Sequence, residues 1–145
     1  WQYEEWYNSY GFARMDDNYA SFKIEFNNTG DCSIDGDITI KDILPENLTY
    51  DENYTVDKPG DLSFTAPDYN TPMNTLYFNF TGMMQAGETI TITFNAYYTG
   101  PCYTDSLQEV YDFTETNHVY ASTSVQDTIE VSDTSDVVYD WWYGS

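Results

Sequence analysis

Gly87-Glu88-Thr89-Ile90-Thr91-Ile92-Thr93-Phe94-Asn95-Ala96-Tyr97-Tyr98-Thr99 decides the fold. Ile90, Ile92, Phe94, Ala96 and Tyr98 recur at period two, and Thr89, Thr91, Thr93, Asn95, Tyr97 and Thr99 fill the alternate positions. That alternation predicts a strand with one dry face and one wet face. Its Thr and Ile residues are stiff at χ1 and suit a pleated surface. Gln85-Ala86-Gly87 turns the chain into the strand, and Gly100-Pro101 ends it, because proline cannot continue a ladder. At about 13 residues it exceeds the usual strand of about 5–6, so it is expected to cross the whole domain.

Outward from this strand the same alternation recurs. Thr75–Thr81 places Leu76, Phe78 and Phe80 inward, and Tyr19–Asn28 does so with Phe22, Ile24 and Phe26. Asp37–Leu44 is a strand through Ile38 and Ile40, ended by Pro45, and Leu48–Val56 is another. Leu62–Thr65 is short, and Pro67–Asn74 reads as a loop. Asn117–Val125 and Asp127–Ser132 alternate again, while Asp133–Asp136 reads as a polar break. Cys102–Thr116 is open between a helical turn and a twisted strand. No helical pattern exceeds two turns. Gly, Pro, Asn and Asp punctuate the strands, as in Asn27-Asn28-Thr29-Gly30-Asp31 and Asp57-Lys58-Pro59-Gly60-Asp61. The expected fold is an all-β antiparallel sandwich of seven to nine strands with extra aromatic terminal segments. The expected divisions are 1–18 as an N-terminal flank, 19–132 as the sandwich and 133–145 as a C-terminal segment.

Charge narrows the partners. Twenty-five acids face four bases (Arg14, Lys23, Lys41 and Lys58), a net charge of −21. Nucleic acid is excluded as a partner, since phosphate binding needs clustered Lys and Arg. An anionic membrane surface is disfavoured on the same ground. Copies of such a chain repel one another unless salt or divalent ions screen them. No run of about 18 apolar residues is present to span a membrane. The start at Trp1 rather than Met is what a processed chain or a fragment would show. Asn27, Asn47, Asn53 and Asn79 each begin an Asn-x-Ser/Thr sequon, which points to an exported, glycosylated protein. Cys32 and Cys102 fit a disulfide outside the cell, either within a chain or between chains. Pairing within a chain closes a loop of about 70 residues, worth roughly 4 kcal/mol in the chain-entropy picture.

No catalytic constellation emerges. His118 is the one histidine and sits in a strand pattern without a Gly-x-Ser-x-Gly element. Adjacent acids such as Glu4-Glu5 are solvated faces in so acidic a chain. No catalytic residue and no organic cofactor is expected. Asp31, Asp35 and Asp37 flank a glycine-containing loop and form a candidate site for Ca²⁺ or another divalent cation, with a plain turn as the alternative. Two cysteines and one histidine do not complete a structural zinc site.

The middle of the chain resembles a known family. Phe26-Asn27-Asn28-Thr29-Gly30, Ile38-Thr39-Ile40-Lys41-Asp42-Ile43-Leu44-Pro45-Glu46-Asn47-Leu48-Thr49-Tyr50, Gln85 to Phe94 and Asn117-His118-Val119-Tyr120-Ala121 are similar to the conserved repeat domain of archaeal and bacterial cell-surface proteins. The likeness covers residues 20–132. It implies an immunoglobulin-like sandwich in adhesins, stalks or surface layers, and no catalytic residues. A solitary acidic, Tyr-rich module with two Cys also resembles the subunit of an archaeal cell sheath.

Both ends fall outside that pattern and are aromatic. Trp1, Tyr3, Trp6 and Tyr7 at one end and Val137, Val138, Tyr139, Trp141 and Trp142 at the other are the expected assembly interface. Free sheet edges are templates for another chain unless Lys, Pro or bulges blunt them. The three Lys lie at positions 23–58, so nothing basic guards the C-terminal half. The expected function is a structural subunit of an extracellular polymer (sheath, surface layer or filament) joined to copies of itself by strand pairing. The alternative is an adhesin module that binds carbohydrate or protein.

Overall fold

A computed structural model describes residues 2–7, 11–12, 19–100, 110–123 and 129–142, with side chains described over 20–100, 115–123 and 132–137. The strands are β1 (Gln2–Tyr7), β2 (Gly11–Phe12), β3 (Tyr19–Asn27), β4 (Ile34–Asp35), β5 (Ile38–Ile43), β6 (Leu48–Asp57), β7 (Leu62–Ser63), β8 (Asp68–Asn70), β9 (Thr75–Met84), β10 (Thr89–Tyr98), β11 (Val110–Thr123) and β12 (Ile129–Trp142). Without the two- and three-residue strands β2, β4, β7 and β8, eight remain, within the expected range.

The chain is an antiparallel β-sandwich. One sheet runs β1-β3-β10-β6, and the other runs β2-β12-β11-β5-β9-β4, with β7 and β8 also beside β9. The stretch that decides the fold forms β10, central to the smaller sheet and antiparallel to both β3 and β6. Ile90, Ile92, Phe94, Ala96 and Tyr98 all face inward. They meet Phe22, Ile24 and Phe26 of β3 and, from the opposite sheet, Ile38, Ile40, Leu76, Phe78 and Phe80. Phe22 stacks on Phe94 at 5.1 Å, and Phe94 reaches Phe78 across the sandwich at 6.2 Å. Each such side chain, fully buried, contributes about 1.5–3 kcal/mol.

Two asparagines seal the loops. Asn28 is buried, and its Nδ2 donates to the carbonyls of Cys32 at 3.0 Å and Met84 at 3.2 Å. The Gly30 N–H donates to its Oδ1. Asn74 has a positive φ of 49°. Its Nδ2 donates to the carbonyls of Pro45 at 2.9 Å and Leu48 at 2.8 Å. It thus clamps the corner where buried Leu44, Pro45 and Leu48 turn β5 into β6. Gly82, at φ 120°, lets β9 pass a neighbouring backbone, since a Cβ there would lie 2.3 Å from the Asp61 carbonyl oxygen.

The structure corrects several sequence expectations. Asp68–Asn70, within the expected loop, pairs with β9 as β8. Val110–Thr116, left open, is strand. The expected break at Asp133–Asp136 does not exist, and β12 pairs with β11 without interruption from Ile129 to Trp142. The expected division at 132/133 therefore falls inside one strand. The polar run stays extended because its backbone belongs to a long hairpin: Asp133, Thr134, Ser135 and Asp136 pair with Val119, His118, Asn117 and Thr116. Tertiary pairing overrides local polarity there.

Candidate functional site

The edges of the two sheets carry most of the functional information. Strand β6 closes one side of the smaller sheet. Its ladder runs Tyr54 opposite Phe94 and Tyr50 opposite Ala96, so Asp51, Glu52 and Asn53 face Asn95 alone. Glu52 takes a positive φ of 71° to form this bulge. A bulge with acidic side chains blunts an edge against strand addition. Strand β9 pairs with β5, and its other partners among the described residues, β4, β7 and β8, are each two or three residues long; short edge strands have the same effect.

Strand β12 differs. It is 14 residues long and pairs throughout with β11 on one side. On its other side, among the described residues, only Tyr139 and Asp140 are paired, in parallel with Gly11 and Phe12 of β2. Strand β1, at the margin of the smaller sheet, also lies against β12.

The aromatic terminal segments are drawn into the chain's own sheets. Tyr3, Trp6 and Tyr7 lie in β1, opposite Phe26, Lys23 and Phe22 of β3. Val137, Val138, Tyr139, Trp141 and Trp142 lie in β12, opposite Glu115, Thr114, Phe113, Tyr111 and Val110. Trp1 lies outside the described residues. The Val137 side chain is fully buried.

A second surface is the groove opened by the β6 bulge. Asn53, Tyr54, Thr55, Thr93, Phe94 and Asn95 line a cavity of about 310 Å³. None of these side chains is charged, despite the acidity of the chain. Its two amides are held in place. Asn53 donates from its backbone N–H and its Nδ2 to Asp51, at 2.9 and 3.2 Å. Asn95 Oδ1 accepts from Ser21 Oγ at 2.8 Å. The Thr55 and Thr93 hydroxyls bond to each other. Tyr54 is 37% exposed and Tyr97, further along β10, is 38% exposed.

The remaining candidate residues fall as follows. Asp31, Asp35 and Asp37 are all exposed and do not converge; among the described residues no three of His, Cys, Asp or Glu come together to hold a metal. Pairing of Ile34-Asp35 with β9 buries Ile34 and holds Asp35 in a ladder between the other two acids. Cys32 is a free, exposed thiol, and Cys102 lies outside the described residues. Of the sequon asparagines, Asn53 and Asn79 are exposed. Asn27 and Asn47 are half-buried, and the Asn47 Nδ2 donates to Glu115 Oε1 at 3.0 Å. His118 is exposed on β11 and opposite Ile43 and Thr134. No helix among the described residues is long and apolar enough to cross a membrane.

Asp42 and Asn117 escaped the sequence reading. Both are fully buried, and Asn117 Nδ2 donates to Asp42 Oδ2 at 2.8 Å. The signal was parity: Asp42 continues the inward series Ile38, Ile40, and Asn117 begins the inward series Val119, Ala121.

Burial pushes the Tyr50 hydroxyl up to about 12, with the nearby Tyr54, Asp51 and Glu52 charges adding to it. Burial raises Tyr69 as well. These shifts belong to the packed corner between the sheets and not to a reactive site.

No protein-family model matches the sequence, and no curated protein is similar to it. Solved structures are. The collagen-binding subdomain of the Enterococcus faecalis surface protein ACE superposes with a TM-score of 0.54 at 16% identity, over 90% of this chain and 94% of that one. Domains D2 and D3 of the major pilin SpaD of Corynebacterium diphtheriae give 0.60 at 14% identity, over 94% of this chain and 51% of that one, so the chain spans about half of the SpaD piece. The chain shares the immunoglobulin-like sandwich fold of bacterial surface adhesin and pilin domains.

Proposed function

We propose that the chain is a non-enzymatic structural subunit of an extracellular, cell-surface assembly, joined to copies of itself by β-strand pairing. The aromatic terminal strands carry this reading: β1 stands at the edge of the smaller sheet, and the fourteen-residue β12 has only the two-residue β2 beyond it in the order of the other sheet. Unpaired backbone donors and acceptors at a sheet margin are templates for a further strand. Strand addition satisfies such groups and gives a rigid, directional joint. The fold shared with a major pilin and a surface adhesin domain supports a place at the cell surface. An exposed Cys32 supports a covalent staple between chains in that setting. Electron microscopy of the purified chain in high salt tests the reading. Repeating filaments, rings or sheets are expected, and a field of separate monomers contradicts it.

The groove between β6 and β10 favours a second reading, an adhesin module. Fixed amides, hydroxyls and an exposed aromatic ring, without charge, suit a neutral carbohydrate. A monomer that binds neutral glycans, and loses binding in Asn95→Ala, would establish this reading in place of the first.

A further inference from the structure

We infer that Asn53 carries a glycan and that the groove opened by the β6 bulge seats its first unit, a neutral hexose or N-acetylhexosamine. The inference rests on the cell-surface location of the proposed function and not on its strand pairing. It fills the groove with a sugar of the chain's own, in place of the free glycan of the adhesin reading.

Asn53-Tyr54-Thr55 is a sequon, and all three of its residues line the groove. Strand β6 stands at the margin of the smaller sheet, and Asn53 is exposed there, within reach of a transferase. The bulge builds the site. Asp51, Glu52 and Asn53 share Asn95 as their opposite residue, with Glu52 at a φ of 71°. The sequon thereby becomes a wall of a cavity instead of one more row of a flat sheet.

The acceptor amide is braced. The Asn53 N–H donates to Asp51 Oδ1 at 2.9 Å, and Nδ2 donates to Asp51 Oδ2 at 3.2 Å. An asparagine Nδ2 carries two hydrogens, so one remains beyond the Asp51 bond. That hydrogen is the one replaced. A bond forms between Nδ2 and C1 of a diphosphate-linked sugar, and the C1–O bond breaks. Its electron pair leaves on the diphosphate, and the amide proton passes to a base of the transferase. The bond to Asp51 survives the step, so the sugar grows from a fixed stem.

The lining fits one neutral ring. A cavity of about 310 Å³ lies at the lower end of the range for small-ligand sites, about 300–1,000 Å³. The half-exposed Tyr54 ring is held edge-on by Phe64 at 6.1 Å and Phe78 at 6.5 Å. It offers an apolar surface to the C–H face of a pyranose. The Thr55 and Thr93 hydroxyls bond to each other and keep one hydrogen and several lone pairs between them. Asn95 accepts from Ser21 at Oδ1, which leaves its Nδ2 as a donor. An acidic sugar would instead face the Asp51 and Glu52 carboxylates beside the groove. A sugar seated here covers the bulge and adds bulk to an edge that is already blunted, which keeps strand addition away from β6.

Nuclear magnetic resonance of the full chain, secreted from a glycosylating cell line fed carbon-13 glucose, tests the inference. The glycans are trimmed enzymatically to the first N-acetylhexosamine. Peptide mapping is expected to find Asn53 occupied. The sugar resonances that Asn53→Gln removes are expected to lie upfield of their positions in the urea-unfolded chain, through the ring current of Tyr54. They are also expected to show Overhauser contacts to the Tyr54 ring. Tyr54→Leu should abolish the upfield shift without lowering occupancy; if that variant does not fold, the Overhauser contacts in the parent chain decide alone. A bare Asn53 in a chain glycosylated at Asn79 overturns the modification. An occupied Asn53 whose sugar does not shift on folding and shows no contact to Tyr54 overturns the seat. Free N-acetylglucosamine that binds the glycosylated chain as tightly as the bare one also overturns the seat and leaves the groove to the adhesin reading. Because the cell line supplies export, none of these results depends on whether the chain assembles.

Discussion

Asn117 Nδ2 lies 2.8 Å from Asp42 Oδ2 in a part of the sandwich where both side chains are fully buried. The pair joins β11 to β5 from the inward side, at positions that the alternation reserves for apolar residues. Burying a carboxylate is costly unless it is hydrogen-bonded, so the two residues depend on each other. Asp42→Ala should destabilise the domain by about 1–3 kcal/mol, because it leaves the Asn117 amide buried without its acceptor. Asp42→Leu combined with Asn117→Leu should cost less than the sum of the single changes. Urea unfolding of the three variants checks both statements; additive costs would show that the two residues act separately.

Asn74 holds the β5–β6 corner by a backbone and a side-chain device at once. Its positive φ tolerates glycine, while its amide supplies the donors for Pro45 and Leu48. Asn74→Gly should lose about 1–3 kcal/mol through the missing hydrogen bonds, and Asn74→Ala more, because it adds backbone strain. Equal losses by thermal unfolding would remove the backbone part of the argument.

Tyr50 makes stability fall at alkaline pH. Its hydroxyl rises from 10.0 to about 12 on folding, chiefly through burial. Below pH 10 the folded and unfolded chains both keep the proton, so the contribution is fully present. Between pH 10 and 12 the unfolded chain releases the proton first, and stability drops as pH rises. Tyr50→Phe should flatten that drop, measured as the change in urea midpoint between pH 9.5 and pH 11.5. An unchanged slope would assign the alkaline loss to other groups.

Glycan occupancy should follow access to the side-chain amide. Asn79 and Asn53 are exposed, whereas Asn47 spends its Nδ2 on Glu115. In material from a glycosylating source, peptide mapping should find sugar at Asn79 and Asn53 before Asn47. Modification at Asn47 with bare Asn79 would reverse the order.

The core was legible because period two is a strong signal wherever one face is dry. Ile90 to Tyr98, Phe22 to Phe26 and Leu76 to Phe80 all face inward as their spacing requires. The loops were legible as loops, but the roles of Asn28 and Asn74 were not, since an amide that binds distant carbonyls leaves no local pattern. The run Asp133-Thr134-Ser135-Asp136 looks like a break in sequence, yet it is the middle of a long strand. The bulge at Asp51-Glu52-Asn53 was hidden for a related reason: it arises from a mismatch in count against β10, which only pairing reveals.

Light scattering of the intact chain across a concentration series, in low and in high salt, tests the central claim most directly. One chain weighs 16.8 kDa. Strand-paired assembly predicts a molar mass that rises above that value with concentration, and rises further with salt as the net charge of −21 is screened. A mass that stays at a single chain under every condition would contradict it.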